Sequence, residues 1–143
     1  MIELYKEYVR TSYEAELGGE TISLRIGEES PDVGVIQSNR WAFITACNPR
    51  SRKVSDRENA DRMAELESVL SERGHKYYDG AGVPARDAWE PEPSFLVIGI
   101  SDSEAAELGA KFDQNAIVFA DSKGIPKLLD CRTSEGQLED LVV

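Results

Sequence analysis

Asn48, Arg50, Ser51 and Arg52 fall within five residues at the end of an apolar run, Trp41 to Cys47. Asn48 offers an amide and Ser51 a hydroxyl. Arg50, Arg52 and Lys53 put three positive charges into four residues of a chain whose net charge is -11. Ser55-Asp56-Arg57-Glu58 follows and reads as a capping box opening a helix. Cationic side chains beside the N–H groups of a helix start favour an anion. The plainer alternative is that Asn48-Pro49 is a turn and the basic residues are solvated surface. Other polar residues stand at the ends of expected elements: Asn59, Asp79, Glu92, Ser94, Gln114 and Asn115. If they converge, they form a pocket for a small anionic or nucleotide-like ligand. Arg50 and Arg52 would hold the anion, Asn48, Asn59, Gln114 and Asn115 would read polar edges, and Trp89 would stack.

Two other functions compete with this one. Asp79, Asp87 and Glu92 are hard oxygen ligands for a Mg²⁺-assisted enzyme, or one of them a general base if desolvated. The plain reading of these carboxylates is loop solvation. No nucleophile–base pair is visible, so no catalytic residue is assigned. Gly80-Ala81-Gly82 lacks the rest of any phosphate-binding loop. His75 is the single histidine, which argues against a zinc site and a histidine triad. Neither metal nor cofactor is assigned. The third function is an interaction or regulatory module that offers the sheet or the Trp89 loop to a protein partner.

At 143 residues the chain is expected to form one domain with a real core. Its parts are an N-terminal extension (1–40), a core (41–130) and a tail (131–143). The acidic balance disfavours nonspecific nucleic-acid binding, which needs a basic face. No run approaches transmembrane length and Met1-Ile2-Glu3-Leu4-Tyr5-Lys6 lacks the form of a signal peptide. Cys47 and Cys131 are far apart and suit two free thiols. The expected setting is therefore soluble and cytoplasmic, with no membrane association. Oligomeric state is not readable.

The elements that must position these residues follow from hydrophobic period. Leu4, Tyr5, Tyr8 and Val9 have helical spacing. Thr11 to Leu17 and Thr21 to Ile26 alternate around Gly18-Gly19, a hairpin signal. Val33 to Ile36 reads as a helical turn. Trp41 to Cys47 reads as a strand covered on both faces. A helix over Asp56 to Arg73 carries Met63, Leu66 and Leu70 inward, with Gly74 just past its end. Asn59 shares that inner face and should lie close to Asn48. Lys76 to Asp79 reads as a short strand, and Gly80 to Pro93 as a long loop. Ser94 to Ile100 is a second buried strand. Ser101-Asp102-Ser103-Glu104 is a second capping box, with Ala105, Leu108 and Phe112 inward. Ala116 to Phe119, a turn at Lys123-Gly124 and a strand from Ile125 to Leu129 complete the pattern.

The two halves echo each other: strand, Ser-Asp-x-Glu cap, helix, strand. That order, βαββαβ, predicts an α+β fold of the split βαβ, ferredoxin-like kind. Two helices would cover one face of a mixed, mainly antiparallel sheet, extended by the N-terminal helix and hairpin. The rival is three layers around a more parallel sheet. Were the strands after Arg40 and Pro93 parallel, Asn48 would leave one strand at the end opposite to Glu92 and Ser94, and one shared site would need the long loop to fold over.

The stretches Phe43 to Ser51, Glu58-Asn59, Trp89 to Gly99 and Phe112 to Ile117 resemble the DUF3293 family of bacterial proteins of unknown function. The likeness runs from about Tyr8 to Leu129. Cys47 stands where that family's first motif has an aromatic residue, so the resemblance does not imply shared thiol chemistry. It implies no reaction, cofactor or partner.

Overall fold

The architecture comes from a computed structural model, which describes residues 2–28, 36, 40–85, 90–120 and 125–132. In chain order the elements are α1 (Ile2–Arg10), β1 (Ser12–Leu17), β2 (Glu20–Leu24), β3 (Trp41–Ile44), α2 (Asp56–Glu72), β4 (Lys76–Val83), β5 (Glu92–Ile98), α3 (Asp102–Lys111), β6 (Ala116–Ala120) and β7 (Lys127–Asp130). One sheet joins all seven strands in the order β2-β1-β4-β5-β3-β6-β7.

The ferredoxin-like expectation is corrected here. Among the described residues the chain forms a seven-stranded antiparallel half-barrel with three α-helices, not a two-helix α+β fold. Every pairing among the described strands is antiparallel, so neither a mixed sheet nor the more parallel rival survives. The strands of the two echoing units are neighbours, β4-β5-β3-β6, but β1 continues the sheet past β4 and β7 continues it past β6. The Gly27 N–H, just after edge strand β2, donates to the Pro126 C=O, just before edge strand β7, at 2.7 Å.

The physical reason is that both faces of the sheet are apolar. Ala42, Ile44, Phe95, Val97, Ile117 and Phe119 pack under Leu66, Leu70, Ala105 and Leu108 of α2 and α3. Each fully buried leucine of that layer contributes about 2 kcal/mol by leaving water. Tyr13, Leu17, Ile22, Leu24, Trp41, Phe43, Leu96, Val118 and Leu128 point the other way and form a second core, with Tyr8 and Val9 of α1 against it. Curling the sheet buries this inner face, which two helices on one side would have left wet. Trp41 and Phe43 meet edge to face at 5.9 Å there.

β3 is buried at all four positions, as its composition implies. The strand is shorter than the apolar run, which continues out of pairing through buried Ala46 and Cys47. β4 is longer than expected. It pairs with β1 on one side and β5 on the other, and those ladders override the weak strand preference of Gly80-Ala81-Gly82. The hairpin forms as read, with Gly18 and Gly19 both at positive φ. The expected helical turn over Val33 to Ile36 (Ile36 alone excepted), the turn at Lys123-Gly124, the tail beyond Arg132 and the side chains of Leu4 and Tyr5 lie outside what is described. No helix among the described residues is long and apolar enough to cross a membrane.

Candidate functional site

β3 and β5 are antiparallel, with Ile44 opposite Phe95. The exit of β3 therefore lies beside the start of β5, and the obstacle to one shared site disappears. The same end of the sheet receives the start of β6 and the end of β7, because β6 is antiparallel to β3 and β7 to β6.

Local rules place the side chains. Ser55 caps α2 by accepting from the Glu58 N–H, and this puts Asn59 in the first turn. Helix α3 ends in a Schellman motif: Gln114 N–H donates to Gly109 C=O and Asp113 sits at φ 59. That motif aims the Gln114 side chain back, and its amide donates to the carbonyls of Cys47 (3.0 Å) and Phe112 (3.2 Å). Between β3 and α2 the backbone is left-handed at Asn48 (φ 49), Arg50 (φ 54) and Ser51 (φ 62). Non-glycine residues in this region each cost about 1–2 kcal/mol.

An amide network holds this turn. Asn48 N–H donates to Asn59 Oδ1 at 2.8 Å. Asn48 Oδ1 accepts from Asn59 Nδ2 at 3.0 Å and from Val54 N–H at 3.2 Å. Asn48 Nδ2 donates to Glu92 Oε2 at 2.9 Å. Arg50 N–H reaches Asp113 C=O at 2.7 Å, and its guanidinium reaches Gln114 C=O at 3.2 Å. Asn115 Nδ2 donates to Ser51 Oγ at 3.0 Å. Asn48, Arg50, Ser51, Asn59, Glu92, Gln114 and Asn115 thus meet in one cluster. Asn48, Asn59 and Gln114 spend their amides largely on backbone and on each other. Arg52 is exposed at the rim. Trp89, like Asp87, lies outside the described residues.

Ser94 and Glu92 sit two and four residues before Leu96, on the inner face of β5. Opposite them on β4 stand Gly80 and Gly82. A Cβ at Gly80 would fall 2.6 Å from the Glu14 carbonyl oxygen and 3.2 Å from the Phe43 ring. Ser94 is 7% exposed, and its hydroxyl has no hydrogen-bond partner among the described residues. Burial raises the Glu92 pKa above its usual range, only partly countered by the Asn48 amide. Asp79 shares the face of Tyr77, under the helices, so Asp79 and Glu92 are on opposite sides of the sheet. The expected carboxylate set for Mg²⁺ is therefore not brought together. Among the described residues no group of three His, Cys, Asp or Glu side chains is gathered for a metal.

Three participants were missed from sequence. Tyr8 of α1 is pushed far up in pKa by burial, then by the Glu92 charge. Tyr13 is likewise raised by burial and by the charges of Tyr8 and Glu92, and its hydroxyl donates to the Tyr8 carbonyl at 3.4 Å. Arg62 ties the turn to α3, with Nε donating to the Ala46 carbonyl at 2.6 Å and Nη2 to the Phe112 carbonyl. Arg62 is the one charged residue three after Asn59 on α2, a spacing that could have flagged it. Nothing local marks the two tyrosines, which read as core.

Cys47 and Cys131 are buried and free. Burial raises both thiol pKa values, Cys131 to about 12, so neither is poised as a nucleophile. Two hollows, of about 350 and 340 Å³, lie away from the cluster, beside Tyr77 and Asp79 and beside Arg73 and Glu104 respectively.

The fold and cluster define an antiparallel half-barrel with a polar, partly buried strand-end. A family model described as "Protein of unknown function (DUF3293)" matches residues 44–117, over half of the chain. The chain belongs to that family. The match takes in every cluster residue from Asn48 to Asn115 and leaves out Tyr8 and Tyr13. No curated protein and no solved structure matches the chain.

Proposed function

We propose that this chain is a small-ligand-binding domain whose ligand seats on the strand-end cluster around Glu92. The observation that carries the reading is the convergence of side chains from residues 48–51, 59, 92 and 114–115 on a turn with three left-handed non-glycine residues. Strain of this kind persists only where surrounding structure over-determines it, and it concentrates at ligand clamps. An anionic group of the ligand would meet Arg50 and Arg52 at the rim, and Asn115 and Ser51 would read its polar edges. The setting we infer is cytoplasmic, which the two free cysteines support.

A thermal-shift and calorimetric screen with nucleotides and phosphorylated metabolites tests this. A ligand held at a hundred times its Kd should stabilise the fold by about 2.7 kcal/mol. Arg50→Ala should lose most of that ligand-induced shift, read against the variant's own unliganded melting temperature. A blank for every compound rejects the anionic ligand.

A further inference from the structure

We propose that Glu92 is the counter-ion for a positively charged nitrogen of the ligand, so that the site takes a small organic amine. This rests on the ligand-binding reading above and names the chemistry of its inner end. Glu92 is half-buried, and among the described residues its only hydrogen-bond partner is Asn48 Nδ2. No cationic side chain among them forms an ion pair with it. A carboxylate removed from water needs a cation or a proton. The Tyr13 ring borders Gly82, the residue opposite Glu92, at 3.6 Å from where a Cβ would fall, and Tyr8 packs on the same inner core; aromatic faces favour ammonium and guanidinium groups. Deeper on the same face of β5, the Ser94 hydroxyl is buried without a partner. It is a second polar atom turned to the same side, ready for a further N–H of the ligand or a bridging water. The net charge of -11 raises the local concentration of cations at low salt.

The test is calorimetry on the full chain with ethylammonium, agmatine and the common amino acids, each beside its neutral or deaminated counterpart. Ammonium or guanidinium compounds should bind and their counterparts should not. Glu92→Gln should weaken that binding roughly tenfold or more, the effect of losing a charge-assisted contact. Carbon NMR of the Glu92 carboxyl in the unsubstituted protein gives a second readout. Saturating ethylammonium should move its titration to lower pH. Equal binding by the Gln variant, equal binding by the neutral counterparts, or an unmoved titration overturns the proposal. If phosphorylated compounds bind through Arg50 and no amine does, the counter-ion role falls and the ligand-binding reading stands. If neither class binds, both fall.

Discussion

After β5 the chain reaches α3 through three residues, Gly99 to Ser101. After β3 it takes eleven, Thr45 to Ser55, to reach α2. Both helices start on a serine whose hydroxyl accepts the N–H three residues on. The short junction turns on one left-handed glycine, Gly99 at φ 79. The long junction turns on Asn48, Arg50 and Ser51, where a side chain makes the same backbone costly. The short junction needs only a residue without a Cβ. The long one is held by side chains from α2, β5 and the two residues before β6. An identical cap motif therefore serves a plain connection in one place and a built cluster in the other.

The largest expected effect breaks the long junction. Asn48→Ala removes two acceptor contacts and the donor to Glu92, and leaves alanine in a left-handed conformation. Urea unfolding should show a loss of about 3 kcal/mol. Gly99→Ala, which adds a strained Cβ with nothing within 4 Å of it, should lose about 1–2 kcal/mol. Losses of equal size would mean that the network holds nothing beyond the turn.

Ser55→Ala and Ser101→Ala probe what the junctions share. Each should cost about 1 kcal/mol, and the two values should agree within error. A large excess at Ser55 would tie that cap into the cluster.

The smallest effect is at Glu92 and depends on pH. Its folded pKa is raised above the ordinary 4.5, so folding favours the neutral acid. The stability linked to it is complete below that ordinary value and is lost as pH rises through the folded value. Glu92→Gln, which keeps an acceptor for Asn48, should flatten this part of the stability profile. At pH 7 it should gain under ~1 kcal/mol, a rise of a few degrees in Tm. A pH profile identical to the parent's would show that the carboxyl is not desolvated.

Much of the site was legible because it is written in local rules. The Ser-Asp-x-Glu caps and the period of Met63, Leu66 and Leu70 put Asn59 on the inner face of α2, and it touches Asn48. Glu92 and Gln114 could be named as strand-end polar residues, but not their closeness to Asn48. That depends on β3 and β5 being antiparallel. Tyr8 and Tyr13 could not be placed near Glu92 from sequence because an aromatic at helical or strand spacing shows only that it is buried, not which strand-end it packs beside.

Sequence alone determined the order of the helices and strands, though not the full length of β4 or the start of β5, together with the helix caps, the glycine hairpin and which residues near the element ends are polar. These follow from dihedral preference and hydrophobic period, which act over a few residues. Tertiary structure decided that the sheet has seven strands, that it curls to bury a second face, and that four separate stretches share one end. Those outcomes depend on which apolar face finds which partner across the whole chain, and a run buried on both sides, such as Trp41 to Ile44, carries no alternation to say so.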